Sequence, residues 1–310
     1  MRIYILSRNE ELYSTRRLVE EAKGKDWEVR VIDYLKCTIE IMKNELVINY
    51  EGKILPTPDA IIPRIGASRT FYGTAMVRHF EMMDVFSTSG NLAIARSRDK
   101  LRSLQVLSKK GVDMPKTIFA SNKSNAKDVI ALSGGAPLVL KILEGTQGVG
   151  VVLVDSEKAA KSVLDAFYGM EVNLLVQEFI EEAGGADIRA LVVNDEVVGA
   201  MKRQGAEGDF RSNLHQGGSA TAYKLSRKEK ATALAAAKAM GLGVCGVDMI
   251  PSQRGPLVME VNSSPGLEGI EKSTNINIAA KIMDFIEKSV KPKCPINPQK
   301  RKLKKDKIGA

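Results

Sequence analysis

Apolar positions along this chain recur with two periods, and the alternation between them predicts the elements. Ile3–Leu6 is an unbroken apolar run of strand length. From Glu10 to Ala22 the period lengthens, with Leu12, Leu18 and Val19 on one stripe, which predicts a helix. Glu28–Tyr34 predicts a second strand, and Leu46–Leu55 a hairpin turning at Glu51-Gly52. A strand over Ala60–Ile65 and a helix over Phe71–Met83 follow. This β-α-β opening predicts a doubly wound α/β domain over residues 1–95, although no GxGxxG follows its first strand.

The next stretch, residues 96–182, reads as a small α+β unit. It begins with one long helical run, Ala95–Lys110. Strands are predicted at Met114–Ala120, Pro137–Leu143, Val151–Val154 and Leu174–Ile180, and helices at Ser124–Leu132 and Ser156–Phe167. Residues 183–290 open with a hairpin, Asp187–Val193 and Glu196–Lys202, around Asn194-Asp195. A glycine-rich polar loop (Gly205 to Gly218), an alanine-rich helix (Arg227–Met240), a second hairpin and an amphipathic helix (Ile278–Ser289) complete it.

That second hairpin, GVCGVDMIPSQRGPLVMEVNSSPG from Gly243 to Gly266, carries the most chemistry. Side chains alternate faces along a strand. Cys245, Val247 and Met249 share one face, and Leu257, Met259 and Val261 can join it. The opposite face bears Asp248, Glu260 and Asn262. With the turn centred near Arg254, Asp248 lies opposite Glu260, and Gly246 lies opposite Asn262 and leaves room beside it. Facing carboxylates repel unless a cation sits between them. Hard oxygen donors gathered this way suit Mg²⁺ or Mn²⁺ shared with nucleotide phosphates. The plainer reading is a half-exposed hairpin with a solvated outer face.

Composition narrows the classes. At 310 residues, 44% hydrophobic and 27% charged, the chain is globular, and no apolar run approaches the ~20 residues of a membrane helix. Cys37, Cys245 and Cys294 form no CxxC pair, so neither zinc nor disulfides are expected, and a reducing cytoplasm is. The net charge of +9 suggests nucleic acid, but residues 291–310 hold seven of those charges together with Pro292, Pro295 and Pro298. The body is nearly neutral, and the tail is expected to be disordered. A 5% aromatic content offers no stacking platform for RNA.

Several further residues point to a nucleotide. The loop 144–150, EGTQGVG, lacks the GK[ST] ending of a P-loop and precedes a strand, yet Gly145 and Gly148 let backbone N–H groups approach phosphates. Lys141, just before it, can reach a phosphate as a compact cation, or merely snorkel from an edge strand. Gln177, Glu178, Phe179 and Ile180 end an apolar strand and can wall an adenine pocket, while Asp187 can meet ribose hydroxyls. An ordinary sheet terminus and a turn aspartate are the plainer readings. Arg189, Arg203 and Arg211 can stabilise a transferring phosphoryl group or simply lie on the surface. His79 and His215 are too isolated for a triad, and His215 has at most a substrate contact.

The order of these features, from a helix bearing Lys100 through Lys141, the glycine flap and the 177–180 strand end to Asp248 and Glu260-Val261-Asn262, resembles the ATP-grasp carboxylate–amine ligases. The strings PRIG, FYGTA, AIARSRDKLRS, EGTQGVGVVL, EGDFRSNLH and GPLVMEVNSSPGLEGIE narrow the resemblance to RimK-type glutamate ligases of the ribosomal protein modification family, over roughly residues 1–290. The resemblance implies an ATP-grasp fold behind an N-terminal pre-ATP-grasp domain. Lys100 and Lys141 then bind ATP phosphates, with Arg211, Ser212 and Asn213 near them. Gln177–Ile180 hold adenine, Asp187 the ribose, and Asp248, Glu260 and Asn262 two Mg²⁺ or Mn²⁺ ions. Catalysis would rest on Lys141, Arg203 and Arg211, without a side-chain nucleophile. ATP would activate a carboxylate as an acyl phosphate, and free L-glutamate would attack it. The implied acceptor is the C-terminal tail of the sixth small-subunit ribosomal protein, with poly-α-glutamate synthesis as an extension, in a homotetramer that needs neither membrane nor nucleic acid. Arg64, Arg203 and Arg211 are the cations expected to meet an acidic product. Related ligases glutamylate a deazaflavin or pterin cofactor or an amino-group carrier protein, and the RSNLHQGG loop favours the ribosomal acceptor over these.

Overall fold

In the computed structural model, residues 1–121, 123–143, 150–206, 210 and 217–290 are described. Gly145, Gly148, Arg211, Ser212, Asn213, His215 and the tail 291–310 lie outside them.

The N-terminal sheet is parallel, as the β-α-β opening requires. Its strands are β1 (Arg2–Leu6), β2 (Glu28–Ile32), β6 (Ala60–Pro63) and β7 (Phe86–Ser87), in the order β2-β1-β6-β7. Helices α1 (Tyr13–Gly24) and α2 (Thr70–Met82) pack on it. The hairpin expected at Leu46–Leu55 is one strand larger: β3 (Cys37–Met42) pairs with β4 (Glu45–Tyr50), which pairs with β5 (Lys53–Ile54). Cys37 opens β3 and is buried; its thiol is free, as is that of Cys245.

The long helix expected over Ala95–Lys110 is two helices, α3 (Asn91–Arg98) and α4 (Lys100–Lys109). Asp99 breaks it by taking an extended conformation (φ −87°, ψ 105°) and accepting a hydrogen bond from Arg102 N at 2.9 Å. Aspartate gains more as an N-cap than inside a helix, because its carboxylate satisfies an orphan N–H. The break places Lys100 at the start of α4.

The middle unit has strands β8 (Thr117–Ala120), β9 (Leu138–Ile142), β10 (Val151–Val154) and β11 (Leu174–Glu178), antiparallel in the order β10-β9-β11-β8. Helices α5 (Ala126–Ser133) and α6 (Glu157–Gly169) cover one face and enclose a core of their own, including Leu138, Leu140, Leu164 and Val176.

The last sheet is antiparallel, with strands β12 (Ala186–Val193), β13 (Glu196–Gln204), β14 (Ser219–Ala222), β15 (Val244–Ile250) and β16 (Leu257–Asn262) in the order β14-β13-β12-β15-β16. Helix α7 (Arg227–Met240) opens with a Ser226–Glu229 capping box, and its alanines Ala233, Ala236 and Ala237 let it approach the sheet closely. Helices α8 (Glu268–Thr274) and α9 (Ile278–Ser289) cover the other face. Strand β14 and helix α8 are short and carried no clear period in the sequence.

The first and last sheets share two cores. Tyr4 and Leu6 of β1 enter the same core as Ile188, Ala190 and Val192 of β12. The alternate residues, Ile3 and Ile5 with Leu191 and Val193, enter the other, under Ile278, Ile282 and Ile286. A bridge between Ser89 and Leu242 joins the two sheets, and the Ser89 hydroxyl donates to Val244 O at 3.3 Å. Among the described residues no helix is long and apolar enough to cross a membrane.

Gly243 lies at that joint. A Cβ there would sit 2.3 Å from Thr88 O and 3.0 Å from the Phe285 ring. Backbone on one side leaves nothing flexible to move. Gly243→Ala is therefore expected to destabilise the chain by about 1–3 kcal/mol, read as a lower urea midpoint. An unchanged midpoint would show that the joint yields.

Candidate active site

The site is assembled from the facing walls of the last sheet and the middle sheet. On β15 and β16 the register follows the alternation in the sequence, with Gly246 opposite Asn262 and Asp248 opposite Glu260. Beyond Asp248 a bulge shifts the pairing, so Met249 faces Val258. Val258 takes the core place expected of Met259, which is half-buried. The bulge lets the acidic pair and the apolar core coexist on a short hairpin. The room expected beside Gly246 is taken up: a Cβ there would lie 3.1 Å from Pro265 and 3.6 Å from Arg189 Nε.

Asp248 is 2% exposed and held by two arginines. Arg189, its direct partner on β12, donates from Nε to Oδ1 at 2.6 Å and from Nη2 to Oδ2. Arg203 on β13 donates from Nη2 to the same Oδ2 at 2.9 Å. Its remaining reach goes to Asp187, its own cross-strand partner, with Nε 2.7 Å from Oδ1. Burial opposes charge on Asp248, but Arg189 and then Arg203 outweigh it and hold the carboxyl below the usual range. Burial also works against the guanidiniums, and the carboxylates raise both of them above their ordinary value. Thus Arg189 and Arg203, expected as cations for a phosphoryl group, are committed to carboxylates, and Asp187 is a buried strand residue rather than a turn aspartate.

Glu260 reaches the open edge of the hairpin. The protein around it and the adjacent Asp248 carboxylate raise its carboxyl, against Arg189 and Lys141. Asn262 Oδ1 accepts Ser264 N at 3.0 Å. Among the described residues no three His, Cys, Asp or Glu gather, so any metal here would rest on two carboxylates and one amide oxygen. Hard donors and facing carboxylates, whose repulsion still leaves Glu260 raised in spite of Arg189 and Lys141, fit a divalent cation such as Mg²⁺.

Across the cleft, Lys141 Nζ donates to Gln177 Oε1 at 2.6 Å, and Gln177 Nε2 donates to Thr117 Oγ1 at 2.9 Å. Gln177 is thereby fixed as a buried clamp on the lysine. Burial brings Lys141 down to about 8, with Glu260 pulling the other way and Lys100 adding repulsion. Lys100 Nζ donates to Leu143 O at 3.0 Å, and burial lowers it too, with Glu260 opposing. Glu178 turns away: its Oε1 accepts Lys116 N at 2.6 Å and the Arg254 guanidinium, tying β11 to the turn of the β15–β16 hairpin. Phe179 meets Phe210 edge to face at 6.3 Å, and Ile180 is buried beside it. His79 is buried on α2. One contributor escaped the sequence, Thr117, a strand residue that nothing distinguished from its neighbours.

The chain resembles known proteins along nearly its whole length. A family model described as the RimK PreATP-grasp domain matches residues 1–94, and one described as the RimK-like ATP-grasp domain matches residues 97–286. Proteins named "Probable alpha-L-glutamate ligase" from Saccharophagus degradans and Vibrio vulnificus are each 61% identical over 292 residues, 94% of this chain and 97% of theirs. The ATP-grasp ligase PsnB, complexed with a phosphomimetic variant of its minimal precursor, Mg and ADP, superposes with a TM-score of 0.72 at 18% identity, over 94% of this chain and 98% of that one. A D-alanine–D-alanine ligase from Bacillus anthracis complexed with ATP gives 0.68 at 19%, over 94% and 97%. At such identities the two structures attest the fold.

Two predictions follow from the charges. Asp248→Asn leaves two arginines short of a carboxylate and is expected to cost about 3–5 kcal/mol. Glu260→Gln, at the open edge, should stay within about 1 kcal/mol of wild type. Urea unfolding of both variants checks this, and equal losses would contradict the network. Lys141 lies below its ordinary value of 10.5, so the unfolded chain binds that proton more tightly. The cost is full below pH 8 and fades as pH rises from about 8 to 10.5. At 1.36 kcal/mol per pH unit it is about 3 kcal/mol. Lys141→Met should therefore raise the melting temperature at pH 7, lose that advantage by pH 10.5, and bind ATP roughly tenfold to hundredfold more weakly.

Proposed function

This chain belongs to the RimK family of ATP-grasp ligases, and from that premise we propose that it is an ATP-dependent α-L-glutamate ligase. The observation that carries the reading is the cleft itself, where Lys141 from the middle sheet and Lys100 from the start of α4 converge on Asp248, Glu260 and Asn262 of the β15–β16 hairpin. The names of the 61%-identical relatives support the glutamate, and the ATP, ADP and Mg in the related ligase structures support the nucleotide and metal.

In this reading the phosphates lie against Lys141, Lys100, the glycines Gly145 and Gly148, and the loop bearing Arg211, Ser212 and Asn213. Adenine lies along Gln177–Ile180, with Phe179 as a wall. Asp187 would meet the ribose only through lone pairs that Arg203 leaves over. Mg²⁺ or Mn²⁺, as two ions held by Asp248, Glu260 and Asn262, would neutralise phosphate charge. Arg189 and Arg203 keep Asp248 ionised and fixed, so they act as positioning residues.

An acceptor carboxylate oxygen attacks the γ-phosphorus, the bond to the β,γ-bridging oxygen breaks, and ADP leaves. The glutamate amine then attacks the acyl carbon. The C–O bond breaks, phosphate departs with its electron pair, and the amine gives up a proton to leave an amide. No side-chain nucleophile enters, so positioning and charge neutralisation supply the rate. The acceptor in this reading is the C-terminal carboxylate of the sixth small-subunit ribosomal protein, with poly-α-glutamate synthesis as an extension. A homotetramer in the cytoplasm goes with it.

Incubation with ATP, Mg²⁺ and L-glutamate is expected to add glutamyl units to a peptide ending in the acceptor sequence, read by mass. The same peptide amidated at its C-terminus should gain none, because no acyl phosphate can form there. Equal addition to the amidated peptide would refute C-terminal activation.

A further inference from the structure

Ligands of open α/β sheets bind outside the carboxyl ends of the parallel strands. In this chain that edge is strongly basic. Arg8 lies two residues past β1, Arg64 directly past β6, and Arg98 at the end of α3. Arg98 Nη2 donates to Ile65 O at 2.7 Å, so its guanidinium is held beside the segment that carries Arg64. Its Nε is buried with no partner among the described residues. Arg64 is half-buried, and no carboxylate among those residues acts on its charge. Burial, and after it the like charge of Arg98, brings it down to about 10, still protonated at neutral pH. Nearby, the Tyr34 hydroxyl accepts Gly66 N at 3.4 Å.

Two half-buried guanidiniums are brought together here, with an open donor on Arg98 and no acid against Arg64. A planar carboxylate accepts two parallel N–H bonds from an arginine fork and would relieve the repulsion. Glu260 acts electrostatically on Arg98, so this edge borders the cleft where ligation would occur. The phosphate-facing cations, Lys100 and Lys141, belong to other elements.

We propose that Arg64 and Arg98 form a substrate-carboxylate subsite at the carboxyl edge of the parallel sheet, which selects an acidic substrate for the ligation. The proposal rests on the ligase reading above for its setting. Its ligand is a carboxylate, carried either by free glutamate or by the acceptor peptide.

The test compares the full-length enzyme with Arg64→Leu and Arg64→Lys. Arg64→Leu is expected to raise the KM for glutamate or for the peptide roughly tenfold to hundredfold, with ATP affinity within about twofold of wild type. A rise confined to glutamate assigns the carboxylate to the free amino acid, and a rise confined to the peptide assigns it to the acceptor. The lysine variant, charged but without the fork, should fall between. The melting temperature of Arg64→Leu should hold or rise, since the lost cation had no ion partner, so the defect would not be one of folding. Calorimetric titration of glutamate and of peptide, with a non-hydrolysable ATP analogue present, reads the subsite independently of turnover. If the wild type binds either but ligates neither, the ligase reading fails while weaker binding by Arg64→Leu still supports the subsite. Equal binding by wild type and Arg64→Leu, binding of neither ligand by the wild type, or KM values for both substrates within twofold of wild type would overturn it.

Discussion

Asp248 is a carboxylate almost sealed from water, and it stays ionised only because Arg189 and Arg203 reach it from two neighbouring strands. Burying such a network is costly, and an apolar replacement of similar shape would often be as stable. What the network supplies here is position. Asp187 completes the coordination of Arg203, so four charged groups on three adjacent strands fix one another. The oxygen donors on β15 and β16 are thereby set at a defined depth and register, which strand pairing alone specifies less tightly.

The cores explain why the cleft lies where it does. Strands β1 and β12 send alternate side chains into the same two cores, so the first and last sheets are fused by apolar packing. The middle sheet has a core of its own. It meets the rest through polar ties, among them Lys100 to Leu143 O, Glu178 to Arg254, and Gln253 N to Glu182 at 3.1 Å. A cleft between separately packed walls can offer Lys141 from one side, and Lys100 with the carboxylates from the other.

Groups whose charged form suffers from folding gather around that cleft. Lys141 and Lys100 are lowered, Glu260 is raised, and burial lowers Arg64 and Arg98, the first with the like charge of Arg98 added. Away from it, charges mostly gain partners: Lys25 sits between Asp284 and Glu287, and Arg17 among Glu20, Glu21 and Glu271. Local conflicts of this kind concentrate where ligands of opposite charge are to be received.

Much of the fold was legible because it is local. Period-two alternation is a property of neighbouring residues, so the pairing of Asp248 with Glu260 and Gly246 with Asn262 followed from the turn position alone. The parallel opening sheet followed from its β-α-β order. The break at Asp99 was less legible, since a cap competes with a helix by a small margin that flanking contacts settle. The bulge after Asp248 depends on what the core accepts, and it moved Val258 into the place of Met259. The partners of the charges were beyond the sequence altogether. Arg189 and Asp248 are 59 residues apart, and Lys141 and Gln177 are 36. An arginine committed to a buried carboxylate and one left facing a like charge read identically in sequence; only the folded chain, by deciding which strands lie side by side, separated Arg203 from Arg64.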